Sequence, residues 1–206
     1  MSDDALRAAR ELAAGLDPSA AAARCGAQFE PDGDGGRFSL RLVGAEVAIS
    51  FPGFEFDPDC GLPPHMRALL VHHLAISDGS EAVGDWRAFA DLPNGRFYAR
   101  AFQGYTGDAL VRRLDKRAAE LPDAVASLGG RALTREELAT NADAAWVVAA
   151  LPRVPVAVLW WDSDDEFPAR AELLFDKTAS GHLPIDGCAV LGSWLTARLT
   201  AEVESR

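Results

Sequence analysis

Four histidines, one dense run of carboxylates and an arginine set between prolines are the side chains of this sequence with chemistry to offer. His65, His72 and His73 fall close together, and His182 lies far along the chain. Imidazole nitrogens ligate divalent ions and move protons near neutral pH. Between Asp162 and Glu166, four of five positions are carboxylates (DSDDE). Oxygen donors so crowded suit a hard divalent cation, a basic partner, or a general base. Arg153, between Pro152 and Val154, either pairs with Asp176 or Asp186 or holds the anionic group of a ligand.

Spacing limits what these groups can do together. On a helix, His65 and His72 share a face but stand two turns, or about 10 Å, apart, too far to share one ion directly. His72 and His73 diverge by about 100° and cannot easily chelate together. Neither pair belongs to an HExxH motif. A metal site therefore needs one histidine to join Asp164, Glu166, Asp176 or His182 across the fold, and the set put forward is Asp164, Glu166 and His72. The set put forward for a small ligand is Arg153, Glu166, His72, His182 and Trp161. Glu166, between Asp165 and Phe167, is the carboxylate of the run best placed to point inward. Trp86, Trp146, Trp160, Trp161 and Trp194 would line a pocket for a flat cofactor of the tetrapyrrole or flavin type, or else fill the core. The plain alternatives are a histidine hydrogen-bonded in the core and a solvated acidic turn.

The elements that must position these groups centre on residues 151–176. Val154 to Trp161 is an unbroken apolar run and reads as a strand buried on both faces. Ala171, Leu173 and Phe175 alternate with polar neighbours, the period of a half-buried strand. The carboxylate run joins the two as the tip of a hairpin, with Phe167 and Pro168 tucked back against the strands. Upstream, a first helix runs through Leu6, Ala9, Ala13 and Leu16. Asp17 and Pro18 open a second helix that Gly26 ends. PDGDGG is a turn, and Phe38, Leu40 and Leu42 alternate, as do Val47, Ile49 and Phe51, in a β-hairpin. A helix spans Pro63 to Ser77, with Met66, Leu69, Leu70, His73, Leu74 and Ser77 along one broad face. Asp85 caps a short helical turn, Phe97 to Phe102 forms a strand, and Asp108 begins a long amphipathic helix to Leu121. Thr134 and Glu137 form a capping box for a brief helix. Ala144 to Leu151 is a strand beside the hairpin, and Asp186 caps a last helix through Leu191, Leu195 and Leu199. The order predicts one α+β domain over residues 1–206, with a mainly antiparallel sheet whose central hairpin is covered by helices.

Composition narrows the function classes. The 206 residues are 49% hydrophobic, enough for a substantial core, and carry a net charge of −11, which repels nucleic acid and anionic lipid. No apolar run is long enough to span a bilayer, and the acidic start is no secretory signal, so the expected location is the cytoplasm. Three well-separated cysteines, Cys25, Cys60 and Cys188, without a Cys-x-x-Cys pair fit reduced thiols and argue against a cysteine-bound zinc or iron–sulfur site. GxGxxG, GxxxxGK[ST] and GxSxG are absent.

Several stretches carry a resemblance: LLVHHL (Leu69–Leu74), DWRAFADLPNGRFY (Asp85–Tyr98), LGG (Leu128–Gly130), LPRVP (Leu151–Pro155), WDSDDEFPA (Trp161–Ala169), LFD (Leu174–Asp176) and HLPIDG (His182–Gly187). Together they resemble an uncharacterised bacterial and archaeal family known only as a domain of unknown function. The resemblance covers most of the chain and implies a fold boundary and a role near anaerobic cofactor or redox metabolism. Some members are joined to a cysteine-rich iron–sulfur segment, which this sequence lacks, and His73 stands where the family resemblance implies an aromatic residue.

Three functions follow as expectations. The first is an accessory protein that binds a small ligand, cofactor or metal; it requires Arg153, Glu166 and His72 to converge. The second is a metal-assisted hydrolase or lyase, which requires three ligands within coordinating reach. The third is an interaction module, which requires the acidic tip to be exposed beside apolar surface.

Overall fold

The computed structural model describes residues 2–138 and 140–206. Two helices come first, α1 (Ser2–Ala13) and α2 (Pro18–Cys25). The start of α2 forms as its sequence dictates: Asp17 Oδ1 accepts from the Ala20 N–H at 2.8 Å, Pro18 opens the first turn, and Gly26 ends it with φ +75°. A three-stranded antiparallel sheet follows, β1 (Gln28–Asp32), β2 (Gly35–Leu42) and β3 (Ala45–Phe51). Phe38 faces Ile49 and Leu40 faces Val47 across β2–β3, all four buried, so the predicted hairpin is present. Strand β1 has no alternation to betray it, because it is an edge with only Phe29 partly buried. It occupies part of the segment read as a turn, which narrows to Gly33 and Asp34. Gly36 lets the Phe29 ring cross the sheet, since a Cβ there would lie 2.4 Å from that ring.

Helix α3 (Pro64–Ile76) matches its predicted span closely. The second sheet is antiparallel throughout, in the order β4 (Trp86–Ala88), β8 (Arg170–Asp176), β7 (Val154–Trp161), β6 (Ala144–Leu151), β5 (Arg131–Ala132). One face carries Val156, Val158, Trp160, Leu173 and Phe175 into the main core beneath helices α4 (Ala99–Tyr105), α5 (Gly107–Leu114), α6 (Leu121–Ser127) and α7 (Ile185–Glu204). The other face buries Ala157 and Leu159 under Leu138 and Ala142, with Trp86, Leu133, Trp161 and Leu174 around them. That double cover explains the unbroken apolar run of β7. The two sheets are tied where the Val43 N–H donates to the Ala150 carbonyl at 2.9 Å. The α+β class and the central hairpin are as predicted. Among the described residues no helix is long and apolar enough to cross a membrane.

Four local expectations are corrected. Trp86 to Ala88 is strand β4 rather than a helical turn; Trp86 pairs with Asp176, and three residues are too few to show a period. Phe97 to Phe102 is no strand: Phe97 is 89% exposed, α4 begins at Ala99, and Phe102 stacks on Phe89 with centroids 4.1 Å apart. The helix predicted from Asp108 to Leu121 breaks after Leu114 into a 3₁₀ segment in which Arg117 leaves helical geometry, and α6 restarts with Pro122 in its first turn, where a ring without N–H is tolerated. Helix α7 starts at Ile185 with Pro184 at its cap, so Asp186 sits inside the first turn and caps nothing with its side chain.

Candidate functional site

Arg153 and His182, two residues put forward for a ligand, both turn instead toward one loop of the chain itself, residues 77–84 (SDGSEAVG) at the end of α3. Arg153 occupies the two-residue turn between β6 and β7 with φ +62°, a left-handed conformation that costs a non-glycine residue energy. Its guanidinium donates to the Gly79 carbonyl at 2.7 Å and the Ala23 carbonyl at 3.0 Å, and it pairs with Glu81 at 2.5 Å. Its carboxylate partner is thus Glu81, not Asp176 or Asp186. Asp176 is buried and serves the same loop, accepting the N–H groups of Val83 (3.0 Å) and Gly84 (2.6 Å) on one oxygen and Thr178 on the other. Arg24 donates to the Ser77 carbonyl at 3.0 Å.

The centre of this hub is a pair of fully buried imidazoles, His73 and His182, whose ring centroids lie 5.9 Å apart. Ser77 Oγ stands between them, 3.1 Å from His73 Nδ1 and 3.2 Å from His182 Nδ1. Two carbonyls, which can only accept, fix the proton positions. His182 Nε2 faces the Ser80 carbonyl at 2.9 Å and therefore carries a proton; His73 Nδ1 faces the His182 carbonyl at 3.4 Å and the serine hydroxyl, and carries one too. The serine then donates to His182 Nδ1. His73 Nε2 is left as a buried lone pair with no partner. Burial in this apolar setting pushes the His73 pKa down to about 4. Nearby Cys25, also buried, has its thiol pKa raised by the same loss of solvent, which makes it a poor nucleophile.

His72, about 100° around α3 from His73, lines a separate groove of about 490 Å³ between α1, α3 and the start of α7. Its walls are mostly apolar, with Ala8 and Leu12 from α1, Leu69 from α3, and Leu183 and Val190 at the far side. His65, His72 and Asp186 supply the polar groups. The two histidines keep the two-turn separation read from the sequence.

The acidic tip is elsewhere. Strand β7 separates it from Arg153 by roughly 23 Å at 3.3 Å per residue, so Arg153, Glu166 and His72 do not converge. Glu166 is exposed and does not point inward, and Phe167, expected to tuck back, is 66% exposed. The reason is local: Asp164 Oδ1 accepts the N–H groups of Glu166 (2.8 Å) and Phe167 (2.7 Å), while the Asp164 N–H donates to the Phe167 carbonyl, which closes a tight turn with its side chains outward. Among the described residues no three His, Cys, Asp or Glu side chains gather into a set fit for an ion, so the set Asp164, Glu166 and His72 is not assembled. Trp161 donates to Asn141 at 3.2 Å and lies under the Arg170 guanidinium, 4.6 Å from its ring. The tryptophans do not line one pocket: Trp146 and Trp160 belong to the main core, Trp194 packs on it from α7, and Trp86 and Trp161 are on the other side of the sheet. Among the described residues the tryptophans form no shared aromatic slot.

The model of a Domain of unknown function (DUF3786) matches residues 17–198. The chain belongs to that family. No curated protein and no solved structure matches it. The DUF3786 segment takes in α2 through most of α7, and with them every member of the hub; α1, one wall of the groove, precedes it. In this DUF3786 chain His73 and Ser77 fall on the broad face predicted for α3, yet neither belongs to the ligand or metal sets put forward from the sequence. Their i,i+4 spacing on α3 was the available signal, since it puts a hydroxyl beside an imidazole on one face.

Proposed function

We propose that this DUF3786 chain is a binding protein, and that the groove between α1, α3 and α7 takes a small molecule with an apolar body and one anionic or hydrogen-bonding end. The observation that carries this reading is the groove's content: about 490 Å³, apolar over most of its wall, with His65 and His72 on one side and the start of α7 on the other. That is the size and chemistry of small-molecule sites in general. The His65 and His72 N–H groups favour an anionic end on their side of the groove, Asp186 disfavours one at the start of α7, and the apolar wall takes the rest by burial.

The test is binding of an anilinonaphthalene sulfonate dye, an apolar body with an anionic head, at pH 7.5, together with native mass spectrometry of the anaerobically purified chain. Saturable dye binding that Ala8→Trp weakens at least tenfold is the expected result, since an indole at Ala8 fills the groove from an exposed position. Absence of binding, or binding indifferent to Ala8→Trp, ends this reading.

A second reading, an interaction module, draws on a different observation. Phe167 stands exposed on a turn stiffened by Asp164 and ringed by carboxylates. An aromatic held in water by its own backbone network fits a partner protein with a basic rim around an apolar socket.

A further inference from the structure

We propose that the His73–Ser77–His182 hub is an acid-operated latch: protonation of His73 releases the 77–84 loop and the Leu183–Pro184 wall of the groove. The proposal rests on the groove reading for its consequence, and on the hub geometry for its mechanism.

The latch has no vacant place for a second proton on His73. Nδ1–H already serves the Ser77 hydroxyl and the His182 carbonyl, so an added proton must go to Nε2, a buried atom without a hydrogen-bond partner, and the Cys25 backbone near the ring favours the charge less than burial opposes it. An imidazolium there would hold both a charge and an unpaired N–H in the core. The charged neighbours do not relieve it. Cys25 lies near the ring at the end of α2 and His182 faces it from the segment before α7, while Arg24 holds the Ser77 carbonyl and Arg153 holds the Gly79 and Ala23 carbonyls. Of the loop carboxylates, Asp78 lies 4.0 Å from His182 Nε2, on the ring edge away from Ser77, and Glu81 is engaged with Arg153. Opening to water is therefore the way the proton is accommodated.

What opens is set by the same bonds. The Ser77 hydroxyl links α3 to His182, and His182 holds the loop through the Ser80 carbonyl; the Asp78 N–H also donates to the Gly181 carbonyl at 3.0 Å. Leu183 and Pro184, which follow His182 directly, are groove wall.

Hydrogen–deuterium exchange of the full chain at pH 7.5 and 4.5, corrected for chemical exchange, tests the latch without any ligand. Because the closed state resists the proton that the open state accepts near its ordinary pKa, opening gains up to about tenfold per pH unit below 6.5. Residues 78–84 and 182–188 are expected to exchange at least tenfold faster at pH 4.5, β7 to change less than twofold, and His73→Phe to abolish the difference. If His73→Phe does not fold, a ¹⁵N-histidine NMR titration of the unmodified chain decides, the His73 signals changing in step with exchange of the loop. Unchanged exchange in both segments, uniform loss across the chain, or a His73 titration independent of exchange overturns the proposal. A groove that binds no dye sinks the ligand reading alone and leaves the exchange result to judge the latch.

Discussion

His73 and His182, 109 positions apart in the chain, share one hydroxyl: Ser77 Oγ lies 3.1 Å from Nδ1 of the first and 3.2 Å from Nδ1 of the second. The hydrogen-bond direction runs from His73 through Ser77 to His182 and ends on the Ser80 carbonyl. A single side chain thus joins the end of α3, the 77–84 loop and the approach to α7.

Ser77→Ala removes an acceptor from one buried imidazole and a donor from the other. His73 Nδ1–H keeps the His182 carbonyl and His182 Nδ1 is left unpaired, and one unpaired buried group costs about 1–3 kcal/mol, so the variant is expected to lose about 1–3 kcal/mol. Urea denaturation reads this as a lower midpoint with an unchanged slope.

Acid destabilises the chain in two separable windows. The unfolded His73 binds its proton near 6.5 and the folded one only near 4, so between these values the unfolded state holds more protons and stability falls with pH. This contribution is complete above pH 6.5 and amounts to about 3 kcal/mol lost by pH 4. Glu137 acts lower: Arg131 first, then the Thr134 N–H, hold its pKa at about 2 against an ordinary 4.5, so its contribution is present above 4.5 and lost as pH falls through 2. Urea midpoints at half-unit pH steps resolve the two, and His73→Phe is expected to flatten only the upper window.

Arg153 owes its worth to carbonyls rather than to its ion pair. Glu81 is 77% exposed in its side chain, and such pairs are worth at most about 1 kcal/mol. Glu81→Ala is therefore expected to cost less than about 1 kcal/mol, and Arg153→Ala about 2–3 kcal/mol, because it strips the Gly79 and Ala23 carbonyls of their donor. Thermal denaturation of the two single variants and the double variant measures the split; equal losses would contradict it.

Phe167→Ser is expected to leave stability within about 0.5 kcal/mol, since an exposed ring gives up little on removal. Leu159→Ala, under the second face of the sheet, is expected to cost about 2–5 kcal/mol. Chemical denaturation of both variants checks the contrast. A large loss for Phe167→Ser would mean that the ring is packed rather than displayed.

Much of the fold was legible in the residues because local signals there agreed with the final packing. The apolar run Val154–Trp161, the alternation at Ala171, Leu173 and Phe175, and the Asp17-Pro18 start of α2 each carry their own instruction. So did the carboxylate run, whose mutual repulsion put it at an open hairpin tip, and the Thr134–Glu137 capping box, whose two reciprocal bonds form at 3.3 and 3.0 Å although the segment stays a turn. Edges and breaks were not legible: β1 and β4 are held by strand pairing with partners elsewhere, and α4 by the stacking of Phe102 on Phe89. The candidate site divides in the same way. Sequence picked out Arg153, His182 and His72 from residue type alone, and helical geometry correctly kept His65 and His72 from sharing one ion. The helical period also set His73 rather than His72 on the broad apolar face of α3, which is buried. Only the tertiary structure decided that Arg153 and His182 bind the chain's own loop, that Glu166 faces water, and that His73 meets His182 through Ser77, because these contacts join elements far apart in the chain.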